Sequence, residues 1–222
     1  MPPYAILWDL DGTITDSFDG FYEACEIILK KYDAPIKMTA GEFSQKYFGQ
    51  SLPKILSRIF GDLLSDGQKM KIADEYYALA NQIFLEKGSI RPVPGVKRVL
   101  DHFAAAAIPM AIASSSQLST IVAELQALDM LHYFGNIISG NFLPSKPAPD
   151  IFQVAAHSLN VNPEACVVFE DSLAGIAGAK AAGMKAIGIA TSKKVTDFSA
   201  ADIALVDFDS LDLNGFVNLF NS

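Results

Sequence analysis

The stretch Tyr4-Ala5-Ile6-Leu7-Trp8-Asp9-Leu10-Asp11-Gly12-Thr13 (residues 4–13) passes from an unbroken apolar run straight into two carboxylates and a glycine. A short apolar run without alternation suits a strand buried on both faces, as in a parallel sheet, with its C-terminal end opening into a site. Two carboxylates two residues apart on extended backbone would point to opposite faces. Gly12 lets the chain turn sharply there, so that both can face one cavity. Close carboxylates repel unless a cation neutralises them or one keeps a proton. An oxygen-only ligand set of this kind suits magnesium. Taken alone, the segment is equally well explained as an Asp-Gly turn that closes a strand. A calcium loop is excluded, because Gly12 comes too early and no later acids follow at the required spacing.

Outward from this strand, apolar runs recur at Met110–Ala113, Ile137–Ile138, Val167–Phe169, Ala186–Ile189 and Ile203–Val206. Helical stripes lie between most of them. Val96, Val99, Leu100 and Phe103 share a face, as do Ile121, Val122, Leu125 and Leu128, and Phe152, Ala155, Ala156 and Leu159. Strands alternating with helices predict an α/β fold, a Rossmann-like parallel sheet covered on both sides. Residues 16–91 break the alternation. Phe18, Phe21, Tyr22, Cys25, Ile28, Leu29 and Tyr32 recur at helical steps, and so do Leu52, Ile55, Leu56, Ile59 and Phe60, then Ile72, Tyr76, Leu79, Ile83 and Phe84. No strand is expected among them. The organisation expected is a core over 1–15 and 92–222 with an inserted helical unit over 16–91.

The bulk properties narrow the function classes. Half of the 222 residues are hydrophobic and the net charge is −8, which argues against a nucleic-acid surface or a polybasic membrane patch. Cys25 and Cys166 have apolar neighbours and are expected to be buried free thiols of a reducing compartment. No secretory leader is visible, and Phe103–Ala113 is broken by Pro109 and too short to span a bilayer. The expectation is a soluble, cytoplasmic protein, a monomer or weak homodimer, with a small-molecule partner and neither nucleic acid nor membrane.

Chemistry-bearing residues fall at or beyond several strand ends, which in an open parallel sheet share one edge. Ala113-Ser114-Ser115-Ser116 precedes a helix expected to start near Gln117; hydroxyls and N–H groups there suit a phosphate, or simple capping. Lys146 lies in Ser145-Lys146-Pro147-Ala148-Pro149-Asp150, a loop stiffened by two prolines. Glu170 and Asp171 follow the apolar Cys166–Phe169, and charges at the end of a buried strand are costly unless they pair or bind a metal.

These segments, DLDGT, the serine-ended strand, SKPAPDIF and FEDS followed by SLAGIAGAKAAGM, closely resemble the four ordered motifs of the haloacid dehalogenase-like hydrolases, over nearly the whole chain. The resemblance implies that the insertion is a small cap domain, that Asp9 is the nucleophile and that Asp11 is general acid and base. It implies that Ser114 and Lys146 hold the phosphoryl oxygens, with help from Ser115 and the Asp11–Gly12 amides. Mg2+ would be held by Asp9, Asp171 and the Asp11 carbonyl, with Glu170 as a direct or water-mediated neighbour. Asp16, Ser17, Gly49, Gln50 and Ser51 are expected to face the substrate from the cap side.

The reaction implied is Mg2+-dependent hydrolysis of a small phosphorylated metabolite through an aspartyl phosphate. Asp11 counts against dehalogenation, whose leaving halide needs no proton. The alternative is a reaction like that of the beta-phosphoglucomutases, whose cap carries a histidine and an arginine where this chain has Phe21 and Leu52. A more remote alternative is a non-catalytic phosphometabolite-binding protein.

Overall fold

The computed structural model describes residues 4–47, 52–87, 90–190, 198–213 and 216. Six strands form one all-parallel sheet: β1 (Ala5–Trp8), β4 (Met110–Ser114), β5 (Asn136–Ser139), β6 (Cys166–Glu170), β7 (Lys185–Ile189) and β8 (Ile203–Leu205). Their order is β5-β4-β1-β6-β7-β8, so the chain moves outward from β1 on one side, then returns to build the other. That reversal places the carboxyl ends of β4, β1 and β6 side by side, where an open α/β sheet forms its crevice. The Rossmann-like α/β expectation is met.

Period-two alternation sorts the strand residues between two layers. Ile6, Trp8, Ile112, Val167 and Phe169 pack with Val96, Val99, Leu100 and Phe103 of α5 (Val96–Ala105) and with Ile121 and Leu125 of α6 (Leu118–Ala127). Ala5, Leu7, Ala111, Ala113 and Val168 face the other way, onto α7 (Asp150–Ser158) and α8 (Leu173–Ala181). Alanines on that second face let the helices approach closely, whereas the first face carries the large rings. Trp8 and Phe169, opposite each other in register, stack at 4.3 Å between centroids, with Phe103 tilted against Trp8 at 6.3 Å.

The helical unit is α1 (Phe18–Lys31), α2 (Ala40–Lys46), α3 (Leu52–Phe60) and α4 (Asp66–Lys87). It has its own buried cluster, including Phe21, Phe43, Leu56, Tyr76 and Phe84, and α4 lies against α6. The expectation that no strand lies within residues 16–91 needs correction. Two-residue strands β2 (Thr15–Asp16) and β3 (Arg91–Pro92) pair antiparallel, Asp16 opposite Arg91, and Val93 N–H donates to Ile14 at 2.8 Å. The ribbon forms because the two linkers must run side by side, a tertiary constraint with no local periodicity to announce it. No helix among the described residues is long and apolar enough to cross a membrane. Both cysteines are buried and unbridged, and burial pushes each thiol up to about 12.

Replacing Phe103, fully buried between β1 and the C-terminal rings, by alanine should cost about 3–5 kcal/mol in urea unfolding. A loss below about 1 kcal/mol would mean that the aromatic layer is not the core of the sheet.

Candidate active site

Asp9 is the first residue beyond β1, and its N–H donates to the Phe169 carbonyl at 3.0 Å, which fixes it at the junction with β6. Lys146 Nζ reaches across from the loop after β5. It lies 2.6 Å from Asp9 Oδ1 and 2.7 Å from Glu170 Oε1. Glu170 Oε2 accepts the N–H and the hydroxyl of Ser172 at 2.7 and 2.8 Å. Asp171 completes the cluster, with oxygens of Asp9, Glu170 and Asp171 all within 4.8 Å of one another. Two glycines leave room for these carboxylates. Gly12 has φ +89°, and a Cβ there would overlap the Asp171 carboxylate; a Cβ on Gly175 would overlap that of Glu170.

The electrostatics follow from crowding. Burial raises Asp9 above the ordinary carboxylate range; Lys146 pulls it down, while Glu170 and Asp11 push it further up. Burial works against the Lys146 charge, but Asp9 and Glu170 outweigh it and keep the ammonium protonated. Asp9, Glu170 and Asp171 thus offer an all-oxygen donor set around which a single lysine leaves negative charge uncompensated. That fits a hard divalent cation.

Asp11 sits at the same rim. Its Oδ1 accepts from Ser17 Oγ at 2.6 Å and its Oδ2 from Ser116 Oγ at 2.8 Å. Burial raises its pKa, and the two hydroxyls oppose the shift. Ser114, at the end of β4, is buried and its Oγ accepts the Ser116 N–H at 3.1 Å. The helix after it starts at Leu118 with Gln117 as cap, so none of the three serines serves the capping role considered from sequence.

These residues border a cleft of about 550 Å3, mouth included. Asp9, Asp11, Ser115, Ser116, Glu170, Asp171 and Ser172 line one side; Phe21, Phe43, Tyr47, Leu52, Ile55, Tyr76 and Tyr77 line the other. Phe21 and Leu52, read from sequence as standing at the polar cap positions of the mutases, therefore both face the cleft.

Two expectations are corrected. Asp16 is exposed on β2 and is not among the cleft-lining residues, because alternation along β2 turns Thr15 inward and Asp16 out. The Gly12 N–H donates to Thr15 at 2.8 Å and closes the turn, so it is not aimed at a phosphate. Gly49, Gln50 and Ser51 lie outside the described residues.

Sequence reasoning gave Ser172 and Glu124 no role, read Ser116 as a phosphate or capping hydroxyl and not as a partner of Asp11, and assigned Ser17 to the substrate and not to Asp11. Ser17 stands at the N-cap of α1 yet makes no cap hydrogen bond, since its hydroxyl goes to Asp11. Glu124 had a legible signal, a charge three residues after Ile121 on an otherwise apolar stripe. It is fully buried, and its Oε2 accepts from Thr15 Oγ1 at 2.7 Å, anchoring the first linker to α6. Burial, then the nearby Asp11 charge, hold Glu124 well above the usual carboxylate range. Its carboxyl also shares a hydrogen bond with Asp11, which raises the Glu124 pKa and lowers that of Asp11. A raised folded-state pKa means that stability is lost as pH climbs above the unfolded value of about 4.3. Glu124→Gln keeps an acceptor for Thr15 and removes that loss. Its stability advantage over the parent, measured by urea unfolding without divalent cation, should grow between about pH 5 and pH 8. An advantage that does not change with pH would show that Glu124 does not carry the shift.

The haloacid dehalogenase-like hydrolase family profile matches residues 6–189. Among curated proteins, the beta-phosphoglucomutase of Bacillus subtilis is 31% identical, with 83% of this chain and 82% of that protein covered. The fructose-1-phosphate phosphatase YqaB of Escherichia coli is 30% identical, with 83% and 95% covered. A phosphorylated carbohydrates phosphatase of Thermotoga maritima is 27% identical, with 82% and 83% covered. Among solved structures, the beta-phosphoglucomutase of Clostridium difficile superposes with TM-score 0.84 at 25% identity, covering 98% of this chain and 97% of that one. Profile, relatives and fold agree with the order of the motifs along the chain: it belongs to the haloacid dehalogenase-like hydrolases, in their beta-phosphoglucomutase-like branch.

Proposed function

We propose that the protein is a Mg2+-dependent phosphatase that hydrolyses a small phosphorylated metabolite through an aspartyl phosphate on Asp9. It is an enzyme, a phosphomonoester hydrolase of the haloacid dehalogenase-like family. The observation that carries the reading is the gathering of the Asp9, Glu170 and Asp171 oxygens within 4.8 Å around the Lys146 bridge.

In this reading an Asp9 carboxylate oxygen attacks phosphorus while the bond to the leaving oxygen breaks. Asp11, its pKa raised by burial, enters as the acid and protonates that oxygen; it must first release Ser17 or Ser116. The resulting Asp11 carboxylate then takes a proton from water. The water oxygen bonds to phosphorus, the bond to Asp9 breaks, and inorganic phosphate leaves. Ser114 accepts the Ser116 N–H, so its own O–H is available to a phosphoryl oxygen, alongside Ser115 and Lys146. Mg2+, held by Asp9, Asp171 and the Asp11 carbonyl, would supply charge neutralisation for the phosphoryl oxygens. Glu170 orients Lys146 and would stand beside the cation as a direct or water-mediated neighbour.

The helical unit over 16–91 serves as a cap hinged on the β2–β3 ribbon; its separate buried cluster supports this. The named activities of the relatives support phosphorylated carbohydrates as the first class to screen. The mutase alternative is disfavoured by Phe21 and Leu52, which bring no polar group to the cleft where the mutases carry histidine and arginine.

Phosphate release from p-nitrophenyl phosphate and a sugar-phosphate panel tests the reading. Hydrolysis should require magnesium, vanish with EDTA, and fall at least about 10³-fold in Asp9→Asn, which removes the nucleophile. Turnover that survives Asp9→Asn or EDTA would overturn it. Conversion of glucose 1-phosphate to glucose 6-phosphate would favour the mutase.

A further inference from the structure

The cleft that holds the carboxylates is divided between two chemistries. Its core side is made of carboxylates and serine hydroxyls from strand ends, and its helical side is apolar and aromatic. Phe21 comes from α1, Phe43 from α2, Ile55 from α3 and Tyr77 from α4, so all four helices contribute the same character. The hydroxyls of Tyr76 and Tyr77 are bonded to backbone. Tyr76 donates to the Phe21 carbonyl at 3.3 Å, and Tyr77 accepts from the Leu52 N–H. Among the described lining residues, no lysine, arginine, histidine, asparagine or glutamine comes from the helical side.

A phosphomonoester bound with its phosphoryl group at Asp9 must lay its organic part toward that helical side. A polyol would bury several hydroxyls against described side chains that are mostly apolar and offer few hydrogen-bond partners, and each unsatisfied group is costly. Among the described lining residues, a second phosphate would meet no cation there. An apolar, planar group would gain from desolvation and from ring contacts.

We infer that the substrate of this site is a phosphomonoester whose organic part presents an aromatic-sized apolar face to the helical wall and carries no second phosphate. A sugar phosphate qualifies where it bears such a group. The inference rests on the phosphatase reading, narrows its substrate class, and differs from what the names of the relatives alone imply.

Three primary-alcohol phosphates separate the wall from the chemistry, because their leaving oxygens are similar: 2-phenylethyl phosphate, glycerol 3-phosphate and fructose 1,6-bisphosphate. With magnesium, kcat/KM for 2-phenylethyl phosphate should exceed that for glycerol 3-phosphate by at least about tenfold, a difference of about 1.4 kcal/mol, and the bisphosphate should be the poorest. Glycerol 3-phosphate or the bisphosphate equal to or better than the aromatic ester would overturn the inference and leave the phosphatase reading standing. A parallel thermal-shift titration of the magnesium-loaded protein uses non-hydrolysable 2-phenylethylphosphonate and 2-hydroxyethylphosphonate. The aromatic phosphonate should stabilise at roughly tenfold lower concentration; equal midpoints would overturn the inference whether or not turnover is seen. Failure to hydrolyse any phosphate ester, with the phosphonate preference intact, would instead overturn the phosphatase reading.

Discussion

The buried ammonium of Lys146, shared between Asp9 and Glu170, is the interaction on which the rest of the site depends. Its side chain is 6% exposed, and those of Asp9 and Glu170 beside it are 10% and 1% exposed. Removing such charges from water is expensive, and the cost is met only where geometry and further hydrogen bonds are good. Here Ser172 completes Glu170, and Glu170 in turn holds Lys146 on Asp9. One ammonium cannot balance every carboxylate at the rim, so the cluster suits a divalent cation. Loss of Lys146 would leave Asp9 and Glu170 facing each other with no charge between them.

The fold makes that crowding possible through sheet topology and side-chain size. Reversal of strand order at β1 puts Asp9, Ser114 and Glu170 on adjacent strand ends although 161 positions separate the first from the last. On the α7–α8 face, small residues allow close helix approach, and Gly175 carries this to its limit beside Glu170. The opposite, ring-filled face stiffens β1 and β6 where they present Asp9 and Glu170. Glu124 extends the same rigidity to the linker, through Thr15, and sets its carboxyl near Asp11. Asp11, the first linker and the sheet therefore share one buried hydrogen-bonded neighbourhood.

Much of this was legible in the sequence, for physical reasons. The β1 run and its acidic end announce a buried strand opening on a site because burial on both faces leaves no room for alternation. Asp9, Asp11, Lys146, Glu170 and Asp171 stand out because charges beside apolar strands need partners. The β2–β3 ribbon was not legible, since two residues carry no period and the pairing depends on where the insertion leaves and rejoins the core. Asp16 was drawn toward the site by its nearness in sequence, whereas strand alternation sends it to solvent and leaves Thr15 inside. Ser17 and Ser116 look like ordinary helix-start residues until the turn at Gly12 brings Asp11 between them.

The central claim is that Asp9 and Asp171 share one divalent cation beside the Lys146 bridge. Crystals grown with Mn2+ in place of Mg2+ would test it through the anomalous signal of the ion. The account predicts one strong peak within direct coordination distance of both the Asp9 and the Asp171 carboxylates. A peak elsewhere, or none at the rim while the two carboxylates stand apart, would contradict it.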